Sequence, residues 1–226
     1  TTTSFSYEIR TSGNPGSGVT GLTASGTITD MSAQPFVVRG LTQLTDYTLY
    51  VRANCANSQN SLYSEGLDFS TPLDIVQLPF TENFEDETHF YYVNDTNNKW
   101  YVGNAVNNGG TKALYISKDA GVTNTYNNVG VQVSHAYMNV EIPEGAEDLE
   151  ITFDWRCLGQ TGLKDYFRVW LVPMTYTPTV RSQITANATR IQIGREQYYD
   201  NAVFLNERAF IHVAPFAGQQ MRIVFE

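Results

Sequence analysis

Residues 98–126 read NKWYVGNAVNNGGTKALYISKDAGVTNTY, and this stretch decides the fold class. It holds a Trp-bearing strand, a turn broken by glycine over Asn107–Gly110, a short apolar strand over Ala113–Ser117 and a second loop of Asp, Gly, Asn and Thr. Apolar bursts this short, cut by Asn/Gly turns, predict β-strands joined by rim loops, as in a β-sandwich. The loops carry the polar residues, so a site is expected at the rim.

The same grammar continues outward. Downstream, Val129–Glu141 is an extended run, and Leu149, Ile151, Phe153, Trp155 and Cys157 alternate with Glu150, Thr152, Asp154 and Arg156, which predicts a strand with one buried face. Tyr166–Val172 is apolar on both faces and reads as a central strand. Phe210–Val213 and Met221–Phe225 flank the turn Pro215–Gly218 and read as a late hairpin, while Met174–Thr189, rich in Thr, Ser and Pro, reads as a surface loop. Upstream, Tyr7 and Ile9 alternate with polar residues, and Leu22, Ala24, Gly26 and Ile28 keep period two before an apolar run at Phe36–Val38. Tyr47, Leu49, Val51, Ala53 and Cys55 share one face of a further strand. Leu67–Phe69 closes this half. The segment 73–79, LDIVQLP, is short and apolar and marks a junction between two modules that touch.

Composition narrows the function classes. The 226 residues carry 42% hydrophobic side chains, enough for two ordinary cores, and 13% aromatics with 14 Tyr against only 16% charged residues, which suits β structure and a contact surface. A net charge of −9 without a basic run argues against nucleic acid. No apolar stretch approaches the ~20 residues needed to span a bilayer. The start TTTSFSYEIR is too polar for a signal peptide. Cys55 and Cys157 lack the spacing of a zinc site.

GLTQLTDYTLYVRANC followed by YSEGLDFSTP resembles the E–F corner, F strand and G strand of a fibronectin type III domain. The resemblance puts Tyr47, six residues after Leu41, at the corner tyrosine, whose hydroxyl ties back to upstream backbone. It implies an incomplete module over 1–72, lacking its first two strands and its early core Trp. Cys55 would then pair with a cysteine upstream of Thr1, or else be a free apolar filler. LPFTENFED, KWYVGNAVNNGGTKALYIS, TFDWRC and DYFRVWLVP resemble the jelly-roll modules called cleaved adhesin or choice-of-anchor J domains, relatives of the MAM domain. Those occur on surface and secreted proteins of Gram-negative anaerobes, including hemagglutinin regions attached to gingipain proteases. The resemblance covers 78–226, with the module itself over 80–226, and implies that a last strand lies beyond Glu226. The expected fold class is therefore all-β, an incomplete fibronectin type III-like sandwich followed by a jelly-roll β-sandwich. The expected function is non-catalytic: a secreted or cell-surface adhesion module binding glycan or host extracellular protein, next to further modules of the same polypeptide. The alternative is a structural spacer or accessory carbohydrate-binding module of a multi-domain secreted protease or glycoside hydrolase.

Candidate chemistry is sparse. Glu82, Glu85, Asp86 and Glu87 form an acidic cluster of hard oxygen ligands suited to Ca²⁺. The jelly-roll resemblance makes Glu85 the first candidate ligand for a structural calcium and Asp86 the second, with carbonyls of the Asn107–Gly110 turn. Asp119, Gly121 and Asn124 could form a second oxygen site or an ordinary turn. Asp154 and Asp165 could pass for a catalytic pair, but Asp154 sits mid-strand beside Arg156, as in a cross-strand ion pair. No His, Ser or Cys stands in a nucleophile or metalloprotease motif. Tyr91, Tyr92, Trp100, Tyr101, Tyr126, Tyr198 and Tyr199 fall at loops or strand ends, where rings either stack on sugars or partners or pack the sandwich edge. Together with the amide-rich turn they make Tyr101, Asn107, Asn108 and Tyr126 the candidate ligand contacts.

Overall fold

A computed structural model describes residues 2–30, 32, 35–38, 40–56, 60–86, 88–160 and 164–226. The structure is all-β: fourteen named strands, and no α-helix among the described residues. The chain divides into two compact units, Thr1–Asp74 and Ile75–Glu226.

The first unit is one antiparallel sheet in the order β2-β1-β3-β4, formed by β1 (Thr2–Arg10), β2 (Leu22–Ile28), β3 (Asp46–Cys55) and β4 (Leu67–Ser70). The period-two patterns read from the sequence set its register, with Tyr7 opposite Gly26 and Val51, and Ile9 opposite Ala24 and Leu49. Phe36–Val38 forms no strand; the Phe36 ring instead lies on Tyr7, 5.6 Å between centroids. Among the described residues of this unit only Ile9 and Tyr47 are buried apolar side chains, and Phe36, Val37, Leu44 and Leu67 stay exposed. One sheet with no second layer among the described residues cannot bury both faces. The Tyr47 hydroxyl accepts the Thr42 backbone N–H at 3.0 Å, fixing the corner before β3.

The second unit builds a real core. Its six-stranded sheet runs β12 (Ile191–Tyr198), β11 (Phe167–Pro173), β14 (Gln220–Phe225), β9 (His135–Glu141) and β5 (Val76–Gln77), with β6 (Tyr91–Val93) also on β9. β5 and β6 share one edge of β9, at Val140–Glu141 and His135–Tyr137. β10 (Asp148–Cys157) pairs with β13 (Asn201–His212), and β7 (Lys99–Gly103) pairs with β8 (Ala113–Ser117). Inner faces of all three sheets meet in one apolar cluster holding Trp100, Val140, Trp155, Val169, Tyr198 and Ile211. At its centre Tyr198 stacks on Phe167 at 4.6 Å and meets Trp155 edge-on at 5.0 Å.

Several expectations are corrected. The stretch read as a late hairpin is a crossover between sheets: β13 pairs with β10, whereas β14 lies between β11 and β9. The 3₁₀ turn Ala214–Phe216 makes the crossing, with Val213 and Phe216 buried beside it. The apolar content of both segments is the same in either arrangement, so the pattern could not tell the partners apart. Val76 of the expected junction is buried and pairs in parallel with Val140, so 75–79 begins the second unit. Tyr198, expected at the rim, is fully buried.

Candidate functional site

A groove of about 630 Å³ lies in the second unit along a single stretch of chain, lined by Tyr92, Asn94, Asp95, Thr96, Lys99, Trp100, Tyr101 and Val102. Its shape follows from two strand pairings. β6 holds Tyr92 opposite Ala136 on β9, and β7 runs against β8 with Tyr101 opposite Tyr115. Trp100 turns inward as the floor; its Nε1–H donates to the Ser134 carbonyl at 3.1 Å. Alternation then places Lys99 and Tyr101 together on the opposite face of β7.

The connection between β6 and β7 is fixed by its own side chains. Asn94 mimics a ladder partner: its Oδ1 accepts the Trp100 N–H at 2.7 Å. Asp95 is buried, its N–H donating to Ser134 Oγ at 2.8 Å and its carboxylate accepting the Thr96 N–H at 2.6 Å and the Arg181 Nε–H at 3.0 Å. The Arg181 bond holds the Asp95 carboxyl below the usual range against the opposing effect of burial. Asn98 and Asn127 exchange amide and backbone bonds at 2.7 and 2.8 Å. Burial pushes the Tyr92 phenol up to about 12, with the Glu82 charge adding to it. It is therefore a neutral donor at physiological pH. The loop after β8 backs Tyr101, since a Cβ at Gly121, which has φ +87, would lie 3.4 Å from that ring.

Of the sequence-derived candidates, Tyr101 lines the groove, and Asn107, Asn108 and Tyr126 do not. Asn108 Nδ2 donates to Asp154 at 2.8 Å, and the Tyr126 hydroxyl donates to Asp165 at 2.6 Å. Asp154 also accepts from Asn206 at 2.8 Å, so it bridges two amides; a cross-strand ion pair on that face joins Glu150 to Arg208 at 2.7 Å. Asp165 further accepts the Gln160 N–H at 2.6 Å. The Cys157 thiol is pushed up to about 11 by burial and then by the Asp165 charge, which leaves it a poor nucleophile at neutral pH.

The acidic cluster has a different partner from the one its composition suggests. Glu85 accepts the Thr111 and Lys112 N–H groups at 2.7 and 3.0 Å and the Thr111 hydroxyl, while the Lys112 ammonium bonds the Glu85 carbonyl at 2.8 Å. These donors, Thr111 first, lower the Glu85 pKa. A Cβ on Gly110 would collide with the carboxylate, so glycine allows the clasp. The carboxylate's partners are thus two N–H groups and a hydroxyl, and the ammonium sits on the Glu85 carbonyl. Asp86 is exposed and Glu87 lies outside the described residues. Among the described residues no group of three or more His, Cys, Asp or Glu is placed to hold a metal. Asp119 is a turn residue: Thr123 and Ser117 bind its carboxylate at 2.7–2.9 Å and hold it at about 2.

Sequence reasoning missed Asn94, Thr96, Lys99 and Arg181. Asn94-Asp95-Thr96 carries a turn signature that could have flagged the first two, but nothing local announces that Arg181 reaches Asp95 from 86 residues away.

The chain matches no protein-family model and no curated protein. Among solved structures, an alpha-L-rhamnosidase from Dictyoglumus thermophilum is similar at 14% identity and a TM-score of 0.25, over 99% of this chain and 21% of that one. The chain thus spans about a fifth of that protein's length, and a likeness at this score carries no argument.

Proposed function

We propose that this chain is a non-catalytic binding module of a secreted or cell-surface protein, and that its ligand is a glycan held in the groove between β6 and β7. One observation carries the reading. Two tyrosines, an amide, a threonine hydroxyl and a lysine converge on a single open groove over a rigid Trp floor. Tyrosine faces stack on the apolar faces of sugar rings, and a few fixed polar groups orient the hydroxyls. The carboxylates and thiol that could do chemistry are engaged elsewhere by Asn108, Asn206, Tyr126 and Gln160 or held neutral by burial.

The surrounding architecture is proposed as a partial fibronectin type III module followed by a jelly roll of the cleaved-adhesin type. The corner bond of Tyr47 and the order β2-β1-β3-β4, which corresponds to the C′-C-F-G sheet of such sandwiches, support the first half. The crossover from β13 to β14 between facing sheets supports the second. The test is a glycan-array and matrix-protein screen of the full chain, read beside Tyr92→Ala and Tyr101→Ala. Binding to saccharides that both variants lose supports the reading. Binding only to proteins, or saccharide binding that both variants keep, overturns it.

A further inference from the structure

We infer that the groove selects a saccharide bearing a carboxylate, and that Arg181 is the group that receives it. This rests on the groove being the glycan site.

Three observations converge on Arg181. Its backbone lies at φ +61, a left-handed conformation rarely adopted by a long side chain. The residue is pinned there by its N–H to the Val133 carbonyl at 3.1 Å and by Nε to Asp95. The anchor is a carboxylate with only 2% of its side chain exposed, while the arginine side chain it holds is 60% exposed. A buried acid thus orients an exposed guanidinium, whose Nη2 stands 3.4 Å from Thr96 Oγ1 at the groove wall. Neutralising Asp95 needs only one edge of the guanidinium fork. The rest of this mostly exposed side chain keeps donors to spare, and a guanidinium edge matches the two oxygens of a planar carboxylate.

Lys99 supplies the second cation. It lines the groove, half-buried, and among the described residues no carboxylate lies within ion-pair distance of its ammonium. The lining therefore holds one carboxylate, Asp95, already matched by Arg181, and one unmatched ammonium, in a chain whose net charge is −9. At contact range the Lys99 ammonium and the Arg181 guanidinium favour an anionic ligand, with exposed charges farther than a Debye length screened, and Glu82, whose charge reaches Tyr92, is the acid that opposes them. Two cations beside aromatic rings suit a uronate: rings for the sugar faces, guanidinium and ammonium for the carboxylate.

The experiment is calorimetric titration of the full chain with a hyaluronan hexasaccharide, which carries uronates; with fully N-acetylated chitohexaose, a neutral hexamer; and with a heparin-derived hexasaccharide, which adds sulfates. The expected result is that the hyaluronan oligomer binds about tenfold tighter than chitohexaose at low salt, a gap that narrows as salt rises. In Arg181→Ala that advantage shrinks toward parity while chitohexaose affinity stays unchanged, and Lys99→Ala weakens the hyaluronan oligomer more than chitohexaose, with melting curves confirming folded protein. Equal wild-type affinity for the neutral and acidic oligomers overturns the inference and leaves the glycan reading standing. Equal loss of both ligands in Arg181→Ala makes that residue a structural brace and also overturns it. Tighter binding of the heparin oligomer moves the assignment to sulfate. No binding of any of the three removes the glycan reading and this inference together.

Discussion

Replacing Glu226 by glutamine tests how the second unit holds its central strand. Glu226 follows β14, and its side chain is 3% exposed. Its carboxylate accepts Arg168 Nε at 2.8 Å, Arg168 Nη2 and the Ile184 N–H, and His135 Nε2 lies 3.4 Å away. Backbone bonds of 2.9 and 3.0 Å join Glu226 to Arg168. Burial alone would raise this carboxyl, but His135, the Ile184 N–H and Arg168 together bring it below its ordinary value. Glutamine offers one carbonyl where the carboxylate offered two oxygens, and turns an amide N–H₂ toward a donor. Either the guanidinium or the Ile184 N–H is then left unpaired. Removing one partner of a buried pair costs ~3–5 kcal/mol, and Arg168 keeps 14% of its side chain exposed, so the lower figure applies. At ~2–4 °C per kcal/mol for a unit of this size, melting should fall by roughly 6–12 °C at neutral pH. Because the folded-state pKa is depressed, this stability is present above the unfolded pKa of ~4.3 and is lost as pH falls through the folded value. The gap between wild type and Glu226→Gln should therefore be full at neutral pH and close under acid. Scanning calorimetry over a pH series measures both. A variant within ~0.5 kcal/mol of wild type at neutral pH, or a gap that does not narrow as pH falls below the unfolded value of ~4.3, refutes the reasoning.

Four further outcomes are expected. Tyr101→Ala and Tyr92→Ala each weaken saccharide binding by about tenfold in titration, which is ~1.4 kcal/mol, with little change in melting; unaltered affinity removes these rings from the site. Glu85→Gln lowers melting equally in millimolar calcium and in chelator, since the carboxylate serves Thr111 and Lys112; a calcium-dependent rise present in wild type and absent in the variant shows a metal there instead. Tyr47→Phe destabilises the first unit by ~1 kcal/mol through loss of the Thr42 bond, read by denaturant titration of the full chain. That unit, with only Ile9 and Tyr47 buried among its described apolar side chains, unfolds before the second; limited proteolysis during a thermal ramp should cut it first, and early cleavage confined to 75–226 would count against this.

Much of the fold was legible because strands announce themselves by period two. The β8 strand Ala113–Ser117, the inward face of β10 and the central place of β11 all follow from alternation or its absence. What alternation cannot encode is which strand lies next to which. Residues 210–225 show this: two apolar runs around a turn look like a hairpin until Val213 and Phe216 carry the chain across the core. The candidate site was legible only in part. Tyr101 was accessible to reasoning from composition, yet Tyr198, equally aromatic and equally near a strand end, is packed between Trp155 and Phe167. Burial is a property of neighbours, and those neighbours come from β10 and β11. Glu85 shows the same limit: nothing in its acidic cluster announces that the Gly110–Lys112 turn brings N–H groups onto the carboxylate.

The most direct test of the central claim is to locate a bound saccharide by nuclear magnetic resonance. Amide and side-chain shifts of the labelled full chain would be followed while a hyaluronan hexasaccharide is added. The proposal predicts that the largest changes fall on residues 92–102 and on Arg181, with the Trp100 indole moving as the groove floor. Changes centred on the outer face of β10 and β13, on the first unit, or nowhere in the chain would contradict it.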